Sequence, residues 1–142
     1  MENFETIMKR IDLKVARMKA ELYIDAYYEQ GMEIDELFEH IWYASTVLLP
    51  KLEVQVVIDS NDAIHISSGS AGYVDFAIDP VGMKLPIKCW IHTHPFGRAY
   101  FSGTDISTVS VWEPLMETAY VLGGVGHYGF WNQQEPTQLQ IF

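Results

Sequence analysis

The chain holds one cysteine, Cys89, in 142 residues, so no disulfide can form within it. No stretch approaches eighteen consecutive apolar residues, which excludes a transmembrane helix. No basic region followed by an apolar core opens the sequence, so no signal peptide is read there. Together these absences predict a cytoplasmic protein in a reducing compartment, with no membrane partner. Basic residues are also scarce, 9 against 19 acidic, for a net charge of −10. Lys9, Arg10, Lys14, Arg17 and Lys19 crowd into the first twenty residues, opposed there only by Glu2, Glu5 and Asp12, a local balance of +2. The rest of the chain carries 4 basic and 16 acidic residues, a balance of −12. So acidic a surface repels phosphate backbones, so nucleic acid is not an expected partner, whereas a basic or neutral protein is. Repeats, low-complexity tracts and interdomain linkers are missing too. With 49% apolar residues the chain can bury a core, and its length fits a single domain over 1–142.

What is present centres on Trp90 to Asp105, WIHTHPFGRAYFSGTD. The apolar run Ile87 to Ile91, broken by Lys88, predicts a buried strand. Strand alternation sends His92 and His94 to one face, Thr93 to the other, and Cys89 into the core away from the histidines. Gly97 and Gly103 mark turns that can fold Asp105 back toward the histidines. Two imidazoles and a carboxylate with an open fourth position form a ligand set of catalytic zinc sites. Ser102 or Thr104 can cap a following helix, with Asp105 in its first turn. Phe96, Arg98, Tyr100 and Phe101 lie in the loop, where the aromatics either line a substrate groove or pack the loop down. His40, His65 and His127 have no second ligand at diagnostic spacing and are read as structural.

His-x-His-Pro, six residues, Ser, two residues and Asp is similar to the signature of the JAMM (MPN+) zinc metalloproteases. The resemblance rests on His92, His94, Pro95, Ser102 and Asp105, with Glu53 at the place of the family's upstream glutamate and Asp79 to Lys84, DPVGMK, before the histidine strand. It covers about Glu36 to Asn132. It implies zinc held by His92, His94 and Asp105, with water as fourth ligand. It implies Glu53 as general base and Ser102 as donor to the developing oxyanion. Glu36 and Glu39 compete with Glu53 but lie on a predicted helix; Ser102 can act as a helix cap as well. The resemblance also implies hydrolysis of an amide or isopeptide bond in a protein or peptide with an extended C-terminal tail, ubiquitin-like or sulfur-carrier-like. Short loops leave little room for the ubiquitin-gripping insertions of the family's deubiquitinating members and favour the compact prokaryote-type ones. A non-catalytic MPN-type interaction module and another zinc amidase, acting on peptidoglycan or in phage, are the alternatives.

Residues 2 to 30 predict one long helix, with 1–31 an extension ahead of a catalytic core at about 35–142. Its apolar residues Phe4, Met8, Ile11, Val15, Met18 and Leu22 are spaced 4, 3, 4, 3, 4, a heptad seam. The seam either packs on the chain's own body or pairs with another subunit, as in a homodimer through this helix. A second helix is expected from Asp35, its N-cap, to Leu48, with Leu37, Phe38, Ile41, Trp42, Ser45 and Leu48 facing inward. Strands are expected at Glu53–Ile58, Ala63–Ser67, Tyr73–Ile78, Thr118–Leu122, His127–Trp131 and Gln138–Phe142. A third helix follows Ser102, with Ile106, Val109, Val111 and Trp112 as its apolar positions. This order predicts an α+β fold with an extra N-terminal helix, and the resemblance implies an MPN-like curved mixed sheet packed by helices.

Overall fold

A computed structural model of the chain describes residues 3–69, 82–124, 126–134 and 140–141. Helix α1 spans Phe4–Glu29 and is capped by Asn3, whose side chain accepts from the Thr6 N–H at 2.8 Å. Gly31, at φ 74, follows its end in the left-handed conformation that glycine adopts without strain. The heptad seam does not pack on the chain's own body. Phe4, Met18 and Leu22 are 77%, 56% and 63% exposed, and Met8, Ile11 and Val15 are exposed too. The opposite face is the one covered, through Ala16, Ala20 and Ile24. Small side chains there let the helix lie close to the sheet. Arg17 holds it by donating to the Ser68 hydroxyl at 2.8 Å and to the Ser68 carbonyl. At the other end the Tyr28 hydroxyl donates to the Asp62 carbonyl at 2.8 Å.

Helix α2 spans Ile34–Tyr43 and runs into a π-helical turn, Ala44–Leu48. Asp35 is not its cap. Glu33 takes that position without a side-chain bond, and Asp35 sits in the first turn, where the helix dipole favours a carboxylate. Leu37, Phe38, Ile41 and Ser45 are buried as expected, with Trp42 and Leu48 half-buried. The wide turn aims the Ser45 hydroxyl at the Leu52 carbonyl and at Thr93, 2.8 Å away.

The strands are β1 (Val54–Ile58), β2 (Ile64–Ser68), β3 (Ile87–Thr93), β4 (Met116–Gly124), β5 (His127–Asn132) and β6 (Gln140–Ile141). They form one mixed sheet in the order β2-β1-β3-β4-β5-β6. β3 and β4 are parallel and joined through helix α3 (Gly103–Trp112); the other neighbours are antiparallel. Gly123 and Gly124 form the end of β4; Gly126, at φ 74, lies in the short connection to β5. The expected strand Tyr73–Ile78 and residues 79–81 of the DPVGMK stretch lie outside the described residues. Of Gln138–Phe142, Gln140–Ile141 is described, as β6.

Strand alternation divides the core. Val54, Val56, Ile58, Cys89, Ile91 and Leu122 meet α1 and α2, whereas Val57, Trp90, Ala119, Val121 and Trp131 form the core on the α3 side. Cys89 is buried away from the histidines as expected, and burial pushes its thiol pKa up to about 12. Of the four apolar positions of α3, Val109 is buried and Trp112 half-buried, while Ile106 and Val111 are 44% and 72% exposed. The helix meets the body along one row, Asp105, Val109 and Trp112, because Asp105 is drawn inward and fixes its rotation. The architecture is α+β with an N-terminal helix and, among the described residues, an open mixed sheet.

Candidate metal centre

The centre lies at the carboxyl end of β3, where the chain leaves the sheet toward α3. Thr93, pointing to the α1/α2 side, is fully buried. Its hydroxyl oxygen accepts from the Val54 N–H at 2.9 Å, which ties the start of β1 to the end of β3. His94 lies past the strand, yet its N–H still donates to the Leu122 carbonyl at 2.8 Å. The chain turns at Gly97, whose N–H donates to the His94 carbonyl at 3.1 Å. The loop then crosses β4 at Gly123, where an added Cβ would stand 2.1 Å from the Ala99 nitrogen and 2.5 Å from the Arg98 carbonyl carbon. Only a glycine admits that approach. A Cβ at Gly129 would meet Val121 Cγ1 at 2.8 Å and the Ala99 carbonyl oxygen at 3.2 Å.

Ser102 is the N-cap of α3. Its hydroxyl oxygen accepts from the Asp105 N–H at 3.2 Å, and Asp105 Oδ2 accepts from the Ser102 N–H at 2.9 Å, a capping box. The box turns Asp105 back toward β3. Asp105 Oδ2 stands 3.0 Å from His92 Nε2 and 3.1 Å from His94 Nε2. The three side chains can hold a metal ion, their ligand atoms lying within 4.8 Å of one another. The spacing fits: at metal bonds of about 2.0–2.1 Å, tetrahedral ligand atoms sit about 3.3 Å apart. His92 supplies a second sign of fit. Both its ring nitrogens are buried, and Nε2 faces the Asp105 carboxylate at 3.0 Å, so the ring is held with a ligand nitrogen turned to the same point as Asp105.

The surroundings orient the rings. His94 Nδ1 stands 3.2 Å from the Arg98 carbonyl, which places the proton on Nδ1 and leaves Nε2 as ligand. His92 stacks on Trp90, centroids 4.3 Å apart and planes 13° apart, and the Trp90 Nε1–H donates to buried Gln55 Oε1 at 3.2 Å. Phe101 meets His92 edge-on, and Tyr100 meets His94 likewise. Trp90, Gln55 and Gly123 are site-building residues that the sequence reading passed over. Trp90 and Gln55 share alternation with His92 and Glu53, and that parity was the available signal.

Burial pulls the His92 pKa down, against the raising pull of Asp105, and favours the neutral, metal-binding ring. Burial also opposes charge on His94, but Asp105 outweighs it and the net direction is up. Burial of Asp105 is outweighed by His92, His94 and the Ser102 N–H, which hold its carboxyl well below the usual carboxylate range.

Glu53 sits at the mouth of the centre. Antiparallel pairing of β1 with β3 sets Gln55 against His92, so Glu53, two residues earlier, comes opposite His94. It is half-buried and lines a cavity of about 270 Å³ with His94, Pro95, Phe96, Gly97, Tyr100 and Ser102. Glu36 and Glu39 do not line it. Burial raises the Glu53 carboxyl, with His94 lowering and Asp105 adding to the rise, and the net direction is up. The loop aromatics divide: Phe101 is buried against the core, whereas Phe96 and Tyr100 remain 68% and 47% exposed beside the cavity.

Two of the remaining histidines have structural partners. His40 Nδ1 stands 2.7 Å from the Tyr23 hydroxyl and the ring stacks on Tyr27, joining α1 to α2. His65 Nε2 stands 3.0 Å from buried Asp59 Oδ2 at the far end of β1. No helix among the described residues is long and apolar enough to cross a membrane. Comparison with known proteins finds no match: no family model, curated protein or solved structure matches the chain.

Proposed function

We propose that the chain is a zinc metallopeptidase of the JAMM type. In this reading it hydrolyses an amide or isopeptide bond at the extended C-terminal tail of a ubiquitin-like or sulfur-carrier-like protein. One observation carries the reading: His92, His94 and Asp105 converge on a point, and Glu53 and Ser102 line the cavity beside it. Two imidazoles and one carboxylate suit zinc and leave a coordination position for the reaction. Zinc held there supplies a Lewis acid and brings a coordinated water toward a pKa of about 7.

The chain's residues divide the remaining work. Glu53, its carboxyl raised by burial, takes the proton of the attacking water and later gives it to the leaving amine. Water oxygen bonds to the carbonyl carbon, the C–N bond breaks, and a carboxylate and an amine leave. The Ser102 oxygen already accepts from the Asp105 N–H, so its O–H is free to donate to the oxyanion as that forms. The ligand loop with Gly123 and His127 borders a broad open cavity of about 1040 Å³, room for an extended peptide beside the centre.

The test is Glu53→Gln, which keeps size and hydrogen-bonding reach and loses basicity. Zinc content should stay at the wild-type level while cleavage of carrier-protein tail fusions falls on the order of 10²-fold or more. Ser102→Ala should lose a similar factor with zinc retained, and Glu36→Gln should be silent. Should Glu53→Gln cleave at the wild-type rate, the base is misassigned.

A further inference from the structure

The outward face of α1 is unused by the chain itself. Its six seam residues point away from the covered face, and residues 3 to 15 are exposed all round. The helix therefore projects beyond the body. The direction is fixed by its anchors, Tyr28 at the β1–β2 turn and Arg17 at Ser68, the end of β2. Ser68 pairs with Val54, next to Gln55, which pairs with His92. The overhang thus extends past the end of the sheet that carries the metal centre, from the opposite face.

We propose that this seam is the dimer interface of the protein, occupied by α1 of a second copy in antiparallel orientation. The 4, 3, 4, 3, 4 spacing is that of a seam matched to another helix, and it runs from Phe4 to Leu22. Antiparallel, all six residues find a counterpart: Met8 faces Met18, Val15 faces Ile11, and Leu22 faces Phe4 of the second copy. Charge selects this orientation over the parallel one. Flanking the antiparallel seam, Glu5 meets Lys19 twice, against one Asp12–Asp12 and one Lys14–Lys14 contact. Flanking the parallel seam, Lys14 meets Lys19 twice and no pair attracts.

The groove beside the seam adds contact area. Val15 and Ala16 line it with Leu48, next to exposed Val47. A seam of about 27 Å spans fewer than three heptads, short for a stable coiled coil, so a micromolar dimer is expected. The two-fold axis passes near the level of Leu13, only about 6 Å along the helix from Arg17. Each copy's metal-centre end therefore faces the other's.

Sedimentation equilibrium of the full chain at about 100 µM tests the interface, and should give a dimer. Ile11→Lys with Met18→Lys, both at exposed positions, should raise the dissociation constant about 100-fold or more with unchanged helix content. Asp12→Cys should form a disulfide-linked dimer, because buried Cys89 does not compete, while Leu22→Cys should not link to itself. A monomeric wild type at that concentration overturns the proposal, as does a double variant that stays dimeric. Self-linkage of Leu22→Cys without Asp12→Cys overturns the orientation. A monomer that instead partitions onto phosphatidylglycerol vesicles hands the face to a lipid surface.

Discussion

Gly123→Ala adds a single methyl group far from any ligand in sequence, and the structure makes it a severe change. The new Cβ would lie 2.1 Å from the Ala99 nitrogen and 2.7 Å from its Cα. An ordinary contact begins near 3.4 Å, so the loop must retreat by about 1.3 Å (3.4 − 2.1). Both obstructing groups are backbone and cannot rotate aside. The retreat carries away the Arg98 carbonyl, which stands 3.2 Å from His94 Nδ1. Losing such an outer partner typically costs about 10–100-fold in metal affinity, and overpacking costs about 1–3 kcal/mol of stability. Chelator-competition titration with zinc, together with thermal melts in excess chelator, reads both effects separately. Gly103→Ala is the matched control: nothing lies within 4 Å of its added Cβ, and it sits in the first turn of α3. It should be neutral or gain up to about 1 kcal/mol. Wild-type zinc affinity and melting temperature in Gly123→Ala would refute the reasoning about how the loop is seated.

Thr93→Val removes the acceptor of the buried Val54 N–H and should cost about 1–3 kcal/mol, read by denaturant unfolding. Peptidase turnover should fall with zinc content preserved, since the change loosens β1 and Glu53 rather than the ligands. Asp59→Asn should remove about 1.5–3 kcal/mol at neutral pH, the worth of hydrogen bonds to a charged group. The Asp59 pKa is raised by burial but brought down to about 2 by His65 and the backbone N–H groups of Lys84, Ala63 and Asn61. A lowered folded-state pKa means stability that is present above the unfolded value and lost as pH falls. Melts between about pH 4 and pH 2 should show Asp59→Asn losing less than the wild type.

The centre was legible because its ligands are local. Strand parity places His92, and a Ser-x-x-Asp cap returns Asp105 to the strand end, so sixteen residues of sequence from Trp90 to Asp105 contain the geometry. Glu53 was placed by position alone; what brings it across is the β1–β3 pairing, a long-range contact that periodicity does not encode. The same gap explains the misplaced features. The heptad spacing identified which α1 residues share a face, but not that the other face, with Ala16, Ala20 and Ile24, would be the one to dock. The close packing at Gly123 was not legible because the loop that crosses it lies 24 residues upstream, at Ala99. The apolar positions of α3 over-counted its contact face, because the inward pull on a polar residue, Asp105, sets its rotation.

Metal analysis of the purified protein, beside His92→Ala and Asp105→Ala, tests the central claim most directly. The account predicts about one zinc per chain in the wild type and its loss in both variants. Full zinc occupancy in both variants, or a wild type that binds no zinc when it is supplied, would contradict it.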